Sequence, residues 1–107
     1  MRLIAVVTTV KSIDDARRLA TLAVESRLAA CVQFEPIESV YAWKGQIEQA
    51  VEVRLTFKTT KQRWTDLQRL LESVHPYETP AIYCVAVADA SAPYAAWVRE
   101  YTGPPPT

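Results

Sequence analysis

The stretch VEVRLTFKT, residues 51–59, alternates without a fault: Val51, Val53, Leu55 and Phe57 fall on one face of a strand, Glu52, Arg54, Thr56 and Lys58 on the other. Period-two alternation marks a strand with one packed face and one polar face. The sequence on either side changes period repeatedly, and the order of those changes is the strongest guide to the fold.

Upstream, LIAVVTT (Leu3 to Thr9) is a continuous β-branched apolar run, as expected of a central strand covered on both faces. Ser12 with Asp15 three residues later offers a helix start, and Ile13, Ala16, Ala20, Ala23 and Val24 recur at helical spacing, predicting a helix from about Ser12 to Arg27. AACVQFEPIESVYAW alternates until Pro36, which cannot donate to a ladder and predicts an edge position or a bulge, with a bend there. WKGQ (Trp43 to Gln46) places a glycine between extended runs and predicts a hairpin turn.

Downstream, Thr59 or Thr60 is positioned to cap a helix with the stripe Trp64, Leu67, Leu71 and Val74, and Pro76 ends it at His75. AIYCVAVA (Ala81 to Ala88) reads as a buried strand, and Ser91 with Pro93 opens a last helix carrying Tyr94, Trp97, Val98 and Tyr101 on one side. TGPPPT reads as a frayed end, with residues 103–107 as the tail. The order β-α-β-β-α-β plus a terminal helix predicts an α+β, ferredoxin-like split βαβ sandwich in one domain over residues 1–107. Two helices cover one sheet face, and the Tyr41, Trp43 and Ile47 of the long hairpin then need another cover, for which self-association is the simplest candidate.

Lys and Arg total 12 and Asp and Glu total 12, so there is no electrostatic footprint for nucleic acid or an anionic membrane. The N-terminal apolar run is too short for a secretory signal or a membrane span, which points to a cytoplasmic protein. Cys31 and Cys84 sit in apolar stretches without CxxC spacing and read as buried thiols. With only Gly45 and Gly103 in the chain, no glycine-rich phosphate loop is available, and no motif orients a catalytic base. Trp64 and Trp97 read as core, Trp43 as interface packing rather than a ligand platform.

HPYETP, His75 to Pro80, contains the single histidine. Three roles fit it: bonding the last helix carbonyls, binding an organic ligand with Tyr77 and Glu78, or ligating a metal. Several blocks in order, namely RLAACV, the YAWKGQIE hairpin, the strand ending in KTT, HPYETP and YAAWV, make the chain resemble the CutA family of divalent-cation-tolerance proteins over nearly its whole length. The resemblance implies a non-enzymatic homotrimer, with hairpins packing sheet against sheet around a threefold axis, and an association with copper or another divalent cation and no obligatory cofactor. It also implies metal ligands at a first-strand cysteine and an HHPY segment, where this chain has Thr8 and Val74. His75, with Glu78, is therefore the metal candidate that remains. A second reading by fold analogy is a trimer resembling the PII signalling proteins, holding a small anionic ligand in an intersubunit cleft with Trp43, Glu52, Lys58, Tyr77 and Glu78.

Overall fold

The computed structural model describes residues 2–104. Its elements are β1 (Leu3–Val10), α1 (Ile13–Glu25), β2 (Cys31–Trp43), β3 (Gln46–Thr60), a 3-10 turn (Lys61–Arg63), α2 (Trp64–Val74), β4 (Ile82–Ala86) and α3 (Ala92–Glu100). The strands form one antiparallel sheet in the order β2-β3-β1-β4, with β1 between β3 and β4. This is the α+β architecture and split βαβ topology predicted from the order of periodicities. The predicted frayed tail, residues 103–107, is corrected at its start, since Gly103 is buried and bonded to Arg27, and residues 105–107 lie outside the described residues.

The even-numbered residues of β1 and the apolar stripe of β3 face α1 and α2. Ile4, Val6, Val10, Leu55, Phe57, Leu19, Leu67 and Leu71 make one buried cluster, against which Trp64 packs from its edge. Leu3, one residue out of step with Ile4, belongs instead to a small cluster with Ala30 and Val98, so α3 is docked through Val98. Trp97 is not core as predicted: it is 38% exposed and stacks with Tyr94 at 5.9 Å between ring centroids. Val98 takes the buried side of the helix. The two cysteines are free and only half-buried.

Ser12 caps α1 as expected, its Oγ accepting from the Asp15 amide at 3.1 Å. The helix ends at Glu25, two residues early, because Arg27 takes φ 60° and turns the chain so that the Leu28 amide reaches the Ala23 carbonyl at 2.9 Å. The threonine cap on α2 does not form: Thr60 precedes the 3-10 turn with no capping bond from its side chain. Arg27 also ties down the far end of the chain, its guanidinium donating to the Gly103 and Glu100 carbonyls, each at 2.6 Å. Gly103 is buried and its amide bonds the Arg27 carbonyl at 2.9 Å.

The hairpin is the main departure from a globular outline. β2 and β3 pair from Cys31↔Lys58 to Trp43↔Gln46 without interruption, passing Pro36 opposite Val53. Pro36 thus marks an edge strand, whose missing N–H removes no ladder bond, and not a bulge. Lys44 (φ 49°) and Gly45 (φ 78°) form a two-residue turn with both φ positive, the geometry that matches strand twist. The tip runs past the helices, giving extents of 50 × 26 × 21 Å and leaving Val51, on the nominally packed face, 71% exposed. Among the described residues no helix is long and apolar enough to cross a membrane.

Candidate functional site

The site begins with Pro76. It disfavours helical backbone in the residue before it, so His75 takes φ −71° and ψ 135° and closes α2, while its own amide still bonds the Leu71 carbonyl at 2.9 Å. The ring then turns away from the helix end. Nδ1 lies 3.1 Å from the Tyr77 amide and can only accept from it. Nε2 therefore carries the proton, and it sits 3.0 Å from both the Thr9 carbonyl and the Thr8 hydroxyl. Thr8 donates its own hydrogen to the Ala81 carbonyl at 2.6 Å, so its oxygen is free to accept from the ring. The expectation that the imidazole bonds the last helix carbonyls is corrected: it staples the corner to β1. Burial holds its pKa below the ordinary 6.5, opposed by the Thr9 carbonyl and by Asp15.

Tyr77, positioned by that corner, donates its hydroxyl to Glu52 Oε1 at 2.8 Å. Burial, then the Glu52 carboxylate, makes the phenol a weaker acid than usual. Glu52 is 8% exposed although it lies on the polar face of β3. Glu78 stands further out, its carboxylate 3.8 Å from Lys44 Nζ, and the same ammonium lies 5.4 Å from the centre of the Trp43 ring.

Between the hairpin and the HPYETP corner lies a cleft of about 1050 Å³, lined among others by Trp43, Glu52, Tyr77 and Glu78. Four of the five cleft residues anticipated from sequence are thus brought together. Lys58 is not: it sits towards the other end of β3, donating to Gln33 at 3.0 Å. The positive residues lining the cleft are Lys11 and Arg54, with Lys44 beside its Glu78, and the Arg54 guanidinium is held by Glu35 at 3.0 and 3.2 Å. Tyr83 also lines it, unanticipated, because β4 gives no sign in sequence of which side chain faces the hairpin. Among the described residues no group of three or more His, Cys, Asp and Glu side chains is placed to hold a metal ion. A metal at His75 Nδ1 would have to displace the Tyr77 amide.

These features define a class: a small α+β domain of split βαβ topology, with a cleft beneath a projecting two-stranded arm. Residues 4–101 match the family model of the CutA1 divalent ion tolerance protein, and the chain belongs to that family. It is 38% identical over 99 residues to the divalent-cation tolerance protein CutA of Thermus thermophilus, covering 92% of this chain and 96% of that protein. With protein CutA of Homo sapiens the identity is 42% over 88 residues, 81% of this chain but 49% of the human protein, so the chain spans about half of that relative. The structure of CutA from Synechococcus elongatus superposes with a TM-score of 0.92 at 38% identity, covering 95% of this chain and 91% of that one. A relative from Archaeoglobus fulgidus, described as a periplasmic divalent cation tolerance protein, gives 0.91 at 29% identity, covering 92% and 97%.

Proposed function

We propose that the chain is a non-enzymatic cytoplasmic member of its divalent ion tolerance family that works as a homotrimer, meeting divalent cations, copper among them, at surfaces completed by more than one protomer. The observation that carries the assembly is the hairpin, where Val40, Ile47 and Val51 are 68, 73 and 71% exposed. Apolar side chains grouped in this way mark a contact surface, and closed rotational symmetry is the usual means by which identical chains bury one.

The metal reading follows from the donors. Within one protomer both nitrogens of His75 already have partners, Nδ1 with the Tyr77 amide and Nε2 with Thr8 and Thr9. Divalent copper favours several nitrogen or sulfur ligands, so a firm site needs donors from neighbouring chains as well. The non-enzymatic reading has a parallel basis: Cys31 contacts Tyr94 and Gln33, and among the described residues the imidazole activates no thiol or hydroxyl, its acceptor nitrogen being taken by the Tyr77 amide.

Light scattering at micromolar concentration tests the assembly, with a trimer mass expected and a monomer overturning it. Calorimetric titration with copper(II), run beside His75→Ala, tests the metal. Copper bound by the trimer and retained by the variant supports the reading. Loss on substitution would mean that Nδ1 gives up the Tyr77 amide and that His75, with Glu78 nearest in sequence, supplies the site. No copper binding by either protein would overturn the copper part.

A further inference from the structure

We infer that α3 and the turn after it, through Gly103, form a strap that opens and closes as one unit against the sheet, with Arg27 as its latch and the Cys31 thiol beneath it. The inference goes beyond metal association and is built on contacts within one protomer.

Along its length the strap is held lightly. Val98 is the buried residue of α3, and it meets Leu3 and Ala30 in a small cluster separate from the main core, with Val87, Ala90 and Ala95 packed around it. Towards the start of the helix the contact is polar, the Tyr94 hydroxyl lying 3.6 Å from Cys31 Sγ. An element with so small an apolar footing opens before the core does.

The end of the strap is held differently. Arg27 Nε donates to the Gly103 carbonyl and Nη2 to the Glu100 carbonyl, each at 2.6 Å, and the Gly103 amide returns a bond to the Arg27 carbonyl at 2.9 Å. Bonds from a guanidinium are stronger than neutral ones, and a cation suits the carbonyl end of a helix. The side-chain bonds span 76 and 73 positions in sequence, so they close α3 onto the body of the domain. Arg27 holds φ 60°, which glycine adopts freely and other residues rarely do, and this points to a use for its guanidinium. Gly103 has φ 89°, so the other half of the latch accepts a side chain only with strain.

Opening has a chemical consequence. Lifting α3 withdraws Tyr94 from Cys31 and uncovers Leu3 and Ala30, so the strap sets how readily that thiol reacts. Cys84 packs against the main cluster instead and serves as the internal control. A neighbouring protomer seated on the outer side of α3 would add to the hold, so the test is run on the protein as it assembles at neutral pH.

Hydrogen exchange read by mass spectrometry, with iodoacetamide labelling of the two cysteines resolved by peptide, compares the unsubstituted protein with Arg27→Gly, which relaxes the left-handed backbone while removing the latch. The α3 amides are expected to exchange about tenfold faster or more, with Cys31 labelled faster alongside them and β1, α2 and Cys84 unchanged. Gly103→Ala strains the latch from its other half, should act in the same direction, and carries the test if Arg27→Gly fails to fold. Unchanged exchange in α3, unchanged labelling of Cys31, or an equal rise in β1 and α2 would overturn the inference, the last because Arg27 would then support the whole fold and not one strap. Light scattering on the same samples reports the assembly separately, so a monomer whose α3 responds to Arg27→Gly would defeat the trimer and leave the strap standing.

Discussion

Because His75 accepts from the Tyr77 amide, a second proton on the ring cannot be taken up without breaking that bond. Burial already lowers its pKa below 6.5, and the unfolded chain has no such constraint. Between the lowered value and 6.5 the unfolded chain binds more protons, so stability rises with pH through that window and is fully present above it. The melting temperature should therefore fall as the pH is taken from 7.5 to 5. His75→Gln should flatten that slope while lowering stability at neutral pH by about 1 kcal/mol through the lost half-buried bonds. Equal slopes in the two proteins, measured by thermal melts across the range, would remove His75 from the account. The sequence showed that this histidine stands at a helix end, since Pro76 acts on its immediate neighbour. Thr8 came into view only through the family resemblance, as the residue at a ligand position, and Thr9 and Ala81 not at all, because contacts across a sheet depend on register and not on spacing along the chain.

At the scale of elements, the hairpin was the most legible part. Alternation gave the faces, and the glycine after Trp43 and Lys44 gave the turn. Period two says which residues share a face but not how far along the strand each one sits relative to another element. That is why Lys58 was grouped with the cleft, while Arg54 and Lys11 occupy it. The same limit applies to the tryptophans. Trp64 packs against the main cluster, whereas Trp43 lies in the cleft, 37% exposed, near the tip of the arm. Trp64→Ala should thus cost about 2 kcal/mol or more in denaturant unfolding, and Trp43→Ala should weaken association more than it weakens the fold. Equal effects of the two substitutions on oligomer mass at dilution would count against a hairpin-built interface.

For the whole molecule, an arm that carries the longest extent to 50 Å against 26 and 21 Å is a poor shape for a chain that stays alone in water. Replacing Val40, Ile47 and Val51 together by threonine keeps strand propensity and removes apolar surface, so it should give a monomer with an unchanged far-UV circular dichroism spectrum. A variant that still runs as a trimer would place the interface elsewhere. The topology has a further consequence, for synthesis. β1 leaves the ribosome before the strands it joins, yet Leu3 pairs with Thr60 and Ile4 with both Thr59 and Ala86. Its β-branched run has no strand to join until β3 has emerged, and its second edge stays open until β4 follows. Such long-range pairing folds slowly. A chain stalled before residue 82 therefore displays an apolar strand with a free edge, and it is these unfinished chains, more than the finished protein, that should call on chaperones.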